Sequence, residues 1–202
     1  MLTLLSQSYK LSIEEARNRF YQSNVIEMLD DDETAFMVNQ HYIYCLYLKT
    51  MNLKIRKMKN SDLESLYKLL SNSKVMKFLE EPYNKAQTLD FLTNAGMSEP
   101  PLVYAVDKDD DFIGYVIFHD YDDLSYEIGW VLYPCCWGKG YASYLTKLLI
   151  EKAFEINKEV VIECDPKQEA TKHIALKYGF QYEGVEDDLE VYRLRKKDIS
   201  LL

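Results

Sequence analysis

The stretch from Leu124 to Ile156 constrains this chain more than any other. An apolar strand-like run ends at Pro134, two glycines follow at Gly138 and Gly140, and a helical pattern begins directly after them. Pro134 stops the strand because it has no N–H to give to a ladder. Ala142, Leu145, Leu148, Leu149 and Ala153 then fall on one helical face. In a strand–loop–helix arrangement the first N–H groups of the helix point at the loop, where they and the helix dipole favour an anion such as a pyrophosphate. A Cβ at Gly138 or Gly140 would hinder that approach. Lys139 between them adds a charge or faces solvent. Spacing excludes two common nucleotide loops. The Gly-x4-Gly-Lys-Ser/Thr pattern is missing, and Ser143 stands where a dinucleotide fingerprint needs its third glycine.

Around this segment the chain from Leu53 onward alternates in the manner of one mixed α/β domain. Strands are expected over Leu53–Arg56, Leu102–Val106, Phe112–Phe118, Leu124–Leu132, Val160–Ile162, Phe180–Tyr182 and Leu189–Leu194. Helices are expected after Asn60 or Ser61, over Lys85–Ala95, over Gly138–Ile156, and from Asp165-Pro166 to Gly179. Residues 1–51 read as a separate extension, a helix from Ser12 to about Leu29 followed by a hairpin with Tyr42–Leu48 as its second strand. Such a piece has little core of its own. It therefore packs on the domain of residues 52–202 or on a second copy of the chain, which would make a homodimer.

The net charge of −9 argues against general nucleic-acid binding and is compatible with a cationic substrate. No apolar run is long enough to span a bilayer, and the amino terminus lacks the basic flank of a secretion signal, so no membrane association and a cytoplasmic location are expected. Cys45, Cys135, Cys136 and Cys164 show no metal-ligand spacing, and His41, His119 and His173 are scattered singly, so no metal site is expected.

Glu127-Ile128-Gly129-Trp130-Val131-Leu132, then Pro134, then Trp137-Gly138-Lys139-Gly140-Tyr141-Ala142, resembles the acetyl-CoA motif of the GNAT N-acetyltransferase superfamily. It is most similar to the branch of ribosomal-protein alanine and spermidine acetyltransferases. Lys177-Tyr178-Gly179-Phe180 and Glu183-Gly184 are similar to that branch's final helix-to-strand motif. The resemblance covers about Leu53 to Asp198. It implies an α/β GNAT fold, with a mixed, mostly antiparallel sheet splayed at the cofactor cleft and flanked by helices. It implies acetyl-CoA as cofactor, held by Val131, Leu132, Tyr133, Cys135, Cys136, Trp137, Gly138, Lys139, Gly140, Tyr141, Ala142 and Gln168. Three positions depart from the family pattern: Cys135 replaces the usual Gln or Arg, Gln168 the usual Asn, and Ala175 a Tyr that many members use as an acid.

The reaction so implied is acetyl transfer to a primary amine, on a small molecule or a protein amino terminus. An alkylammonium must lose a proton before it attacks. Glu127, on the strand lining the cleft, is the candidate base. Tyr133, Tyr141, Tyr144 and Tyr178 are candidate acids for the leaving thiolate, with Tyr141 nearest the loop. Gly129 suits a bulge that splays the strands. No histidine is placed to activate a cysteine, which favours direct transfer. The other reading left open is a non-catalytic acyl-CoA-binding or interaction module.

Overall fold

The structure, a computed structural model, describes residues 52–196. The helix and hairpin expected in residues 1–51 lie outside the described residues. Seven strands form one sheet in the order β1-β2-β3-β4-β5-β7-β6. They are β1 (Leu53–Arg56), β2 (Val103–Lys108), β3 (Asp111–Asp120), β4 (Ser125–Leu132), β5 (Glu159–Cys164), β6 (Gln181–Glu186) and β7 (Leu189–Leu194). Every neighbouring pair is antiparallel except β4 and β5. The helices are α1 (Leu63–Leu70), α2 (Ser73–Met76), α3 (Lys85–Phe91), α4 (Tyr141–Glu155) and α5 (Glu169–Lys177).

Local chemistry explains most of the punctuation. The β2–β3 and β6–β7 turns place Asp109-Asp110 and Asp187-Asp188 at positive φ, the tight two-residue hairpin that Asp tolerates. The longer β3–β4 turn is closed by the Asp122 carboxylate, which accepts the N–H groups of Leu124 and Ser125 at 2.8 Å each. Asn84 and Gln87 form a capping box at the start of α3. That helix then widens into a π turn over Leu92–Gly96, which covers the rest of the helix expected to Ala95. Helix α5 starts later than Asp165 implies, because Asp165 Oδ1 accepts Lys167 N–H and its carbonyl accepts Gln168 N–H in a turn before the helix. The short helix α2 has no counterpart in the sequence reading.

One face of the sheet packs on α1–α3 through Leu66, Leu69, Leu92, Ala105, Tyr115 and Val131, all buried. Helix α4 lies against β4 and β5, with Leu145, Leu149 and Ala153 buried alongside Val160 and Ile162. The strand register shifts where β3 carries one extra residue, Ile113, opposite β2. Next to it, Gly114 has φ of 155° and approaches β4 so closely that a Cβ there would sit 2.1 Å from the Val131 carbonyl oxygen. A Gly114→Ala chain must move β4 or strain β3. We expect a loss of about 2–3 kcal/mol in denaturant unfolding; an unchanged midpoint would show that the two strands separate without cost.

Candidate active site

Strands β4 and β5 pair over three residues only: Ser125 with Glu159, Tyr126 with Val160, and Glu127 with Val161. Beyond Glu127, β4 runs on to Leu132 still paired to β3, while β5 runs on to Cys164 paired to β7. The two strands therefore diverge, and a slot opens whose walls are unpaired strand edges. The expected splay is present, but Gly129 does not create it by a bulge. Its register with Ile117 of β3 is regular, and a Cβ there would meet the Ile117 side chain at 2.9 Å. The splay follows instead from each strand keeping its antiparallel partner on the far side.

The slot edge of β4 is specified by that close approach at Gly114. The Val131 carbonyl lies against β3, and the N–H and C=O of one strand residue share an edge. The alternate residues Trp130 and Leu132 therefore turn their N–H groups toward the slot. Past Leu132 the chain forms a 3-10 turn at Pro134–Cys136. Trp137 folds back so that its indole N–H donates to the Leu132 carbonyl at 2.9 Å, which holds the loop against the end of β4.

Gly138 and Gly140 adopt φ of 70° and 77°, a left-handed conformation that glycine takes without strain. Gly140 is the N-cap of α4 and supplies no side-chain cap. The first-turn N–H groups of this 15-residue helix have no intrahelical acceptor. A Cβ at Gly138 would meet nothing within 4 Å, so the loop borders open space. In the chain, the β4 edge beyond Glu127 leads to the glycine loop and on to the terminus of α4, and N–H groups at such a terminus favour an anion such as a pyrophosphate. Gln168, the N-cap of α5, follows the end of β5 on the other wall.

Glu127 stands at the point where the strands part. It faces His119 directly across β3–β4, with Nε2 and Oε2 3.2 Å apart. The His119 Nδ1 lies 2.9 Å from the Asp120 carbonyl oxygen. The hydrogen bond to Glu127 holds the imidazole above its usual titration range, against the opposing effect of burial. Glu163, two residues beyond Val161, shares this face. Burial pushes its carboxyl up, and Glu127, Glu186 and Asp187 add to that push against the Tyr121 hydrogen bond. The Tyr121 hydroxyl lies 2.8 Å from Glu163 and 3.2 Å from Glu186. A phenol has one proton to donate, so the two carboxylates share it. His119, Tyr121 and Glu163 were not singled out in the sequence. The signal for His119 was available, since it and Glu127 each stand four residues from Asp123 in the turn.

The candidate acids are dispersed. Tyr133 donates to the Ser65 carbonyl at 2.6 Å. Tyr178 donates to the Ser143 carbonyl at 2.7 Å, tying α5 to the first turn of α4. Tyr141 is buried, with Lys108 of β2 among its electrostatic neighbours. Ala175 is fully buried in α5. Cys135 is exposed and Cys136 buried, with their sulfurs 3.9 Å apart and unbridged. Burial pushes the Cys136 and Cys164 thiols up to about 11 each, so neither offers a thiolate nucleophile near neutral pH. Among the described residues no cluster of His, Cys, Asp or Glu has metal-site geometry, and no helix is long and apolar enough to cross a membrane.

Residues 52–181 match the family model of the acetyltransferase (GNAT) domain. The chain is 29% identical over 144 residues to YnaD, an uncharacterised N-acetyltransferase of Bacillus subtilis, covering 69% of this chain and 85% of that one. Its fold is similar to that of a GNAT-family acetyltransferase from Bacillus anthracis, with a TM-score of 0.64 at 24% identity over 72% of this chain and 96% of that one. It is also similar to spermidine N-acetyltransferase from Vibrio cholerae, solved with CoA and spermine, with a TM-score of 0.61 at 22% identity over 73% and 97% of the two chains. The structural likenesses speak for the fold, and the domain match, which spans more than half of the sequence, speaks for descent: the chain belongs to the acetyltransferase (GNAT) family.

Proposed function

We propose that this protein transfers the acetyl group of acetyl-CoA to a primary amine by direct attack. The observation that carries the reading is the slot between β4 and β5, which opens at Glu127 and leads to the glycine loop at the start of α4. Acetyl-CoA supplies the thioester whose carbonyl carbon the amine attacks. Gly138, Gly140 and the first turn of α4 hold the pyrophosphate, and the edges of β4 and β5 line the pantetheine arm. The slot-facing N–H groups of Trp130 and Leu132 suit a carbonyl oxygen that gains negative charge. Glu127 takes the proton from the amine. Glu127, Glu186 and Asp187 all act electrostatically on Glu163, and this gathering of carboxylates favours an acceptor that arrives as a cation. The acceptor of the Vibrio cholerae neighbour's name is a polyamine, and a polyamine suits this charge.

Thermal unfolding with and without acetyl-CoA tests the cofactor assignment. At one hundred times its dissociation constant the ligand adds about 2.7 kcal/mol, a rise of about 5–10 °C in midpoint. Gly140→Glu places a side chain and a negative charge where the pyrophosphate would sit, and we expect it to lose that rise. A wild-type midpoint that acetyl-CoA does not move, or an equal rise in the variant, removes the loop from the reading.

A further inference from the structure

We propose that Glu127 and His119 work as one proton-accepting couple, in which Glu127 takes the proton from the acceptor amine and His119 receives it. The inference rests on the transferase reading of the slot, and the geometry of the pair carries it. A backbone carbonyl only accepts, so the contact between His119 Nδ1 and the Asp120 oxygen, at 2.9 Å, puts a proton on Nδ1. A carboxylate also only accepts, so the 3.2 Å contact between Nε2 and Glu127 Oε2 needs a second proton between them. The arrangement is that of the couple after it has taken up a proton, an imidazolium facing a carboxylate. The form ready to react has Nδ1–H still anchored on Asp120 and Nε2 bare.

The step balances. An N–H bond of the acceptor ammonium breaks as an O–H bond forms on Glu127. That O–H bond breaks as Nε2–H forms on His119. The amine leaves neutral, Glu127 returns to a carboxylate, and the positive charge that began on the ammonium ends on the imidazole. The amine's electron pair is then free to attack. A lone carboxylate titrates about six units below an alkylammonium and is a weak base for it, whereas an imidazole closes about two of those units. The environment adds to this effect, since the hydrogen bond to Glu127 holds His119 above its usual range.

The other charged groups fit the same scheme. Asp120, on the strand of His119 itself, presents its carbonyl to the ring, while its carboxylate is engaged by Lys158 at 2.9 Å. From β5, Glu163 interacts electrostatically with Glu127, Glu186 and Asp187, and the Tyr121 hydroxyl lies between Glu163 and Glu186. All of these carboxylates favour a cation on the couple. The His119 side chain is 27% exposed, so the proton can leave to water between turnovers. His119 acts through Glu127 and is a positioning residue in this scheme.

Two measurements on the full chain test it. Long-range nitrogen–proton NMR of the histidine rings reads the couple without turnover, with the His119 signals assigned by their loss in His119→Gln. We expect Nδ1–H as the neutral tautomer and a titration midpoint above 6.5 that falls in Glu127→Gln. An Nε2–H tautomer, or a midpoint indifferent to Glu127→Gln, overturns the proposal. The second measurement is the pH profile of kcat/KM with acetyl-CoA and 1,4-diaminobutane, spermine or an alanine-terminated peptide, whichever turns over. In His119→Gln the acid limb should move down by about two pH units, from the imidazole to the carboxylate range. At pH 7 kcat should fall about tenfold or more, with the acetyl-CoA-induced rise in unfolding midpoint retained. An unchanged limb and rate in a folded variant overturn the couple while leaving the transferase reading standing. No turnover by the wild type with any of the three amines overturns the primary-amine reading itself, and the couple with it.

Discussion

Replacing Arg56 with Ala lowers the unfolding free energy by about 3–5 kcal/mol. Arg56 ends β1 and reaches two carboxylates at once. It donates to Asp62 through both terminal nitrogens at 2.7 and 2.8 Å, and to Asp107 at 2.5 and 3.0 Å. Asp62 and Asp107 keep only 7% and 6% of their side-chain surface exposed. The planar guanidinium meets this demand because its fixed fork serves two carboxylates; a lysine would present one point charge. Removing it leaves two buried negative charges facing each other, and truncation costs far more than the intact cluster contributes. The same cluster closes the turn before α1, since Asp62 also accepts the Lys59 N–H at 2.8 Å.

The pH dependence of that loss has a definite sign. Burial pushes the Asp62 carboxyl up, but Arg56 and the Lys59 N–H outweigh it and hold the group below its ordinary range. A carboxyl depressed in the folded state stabilises above its unfolded pKa, near 3.9, and loses that contribution as pH falls through the folded value. The gap between native and Arg56→Ala midpoints should thus be full at pH 7 and shrink below about pH 4. Urea unfolding at pH 7 and pH 3 reads it. A variant within 1 kcal/mol of the native chain at pH 7 would mean that β1 does not depend on the cluster.

The element order was legible because it rests on local signals, such as Pro134 ending a strand and Gly179 ending a helix. What escaped depends on contacts between distant parts. Asp62 reads in sequence as one more polar residue at a helix start, and only the arrival of Asp107 makes Arg56 a clamp. Gly114 is one residue of the strand expected over Phe112–Phe118, and only its approach to Val131 explains why a glycine stands there. At the candidate site, the glycine loop and Glu127 are contiguous in the chain and could be read together. Tyr121, Glu163 and Glu186 come from three different segments and meet only because β5 pairs with both β4 and β7. Contacts of that second, non-contiguous kind leave no local signal, which is why the glycine loop was more readable than the carboxylates around Tyr121.

Glu127→Gln should reduce turnover at pH 7 by about 10²–10⁴-fold, the usual contribution of a positioned base. The substitution keeps the size of the side chain, and its amide N–H can donate to the bare Nε2 of His119. The variant should therefore fold and retain the acetyl-CoA-induced rise in unfolding midpoint. What it loses is the ability to take a proton from an ammonium. The enzyme must then wait for the fraction of amine already neutral in solution, which grows about tenfold per pH unit up to the alkylammonium pKa near 10. The deficit relative to the native chain should accordingly narrow as pH rises from 7 to 9.5, a signature that a merely damaged site would not produce. Glu163→Gln provides the contrast. Its carboxyl shares the Tyr121 proton with Glu186 and adds negative charge on the same face as Glu127, so its loss should raise KM for a cationic amine more than it lowers kcat. If Glu127→Gln keeps the native rate at pH 7, or its deficit stays constant to pH 9.5, proton removal is not the task of Glu127. The parting of β4 and β5 would then place the amine against another group on that face.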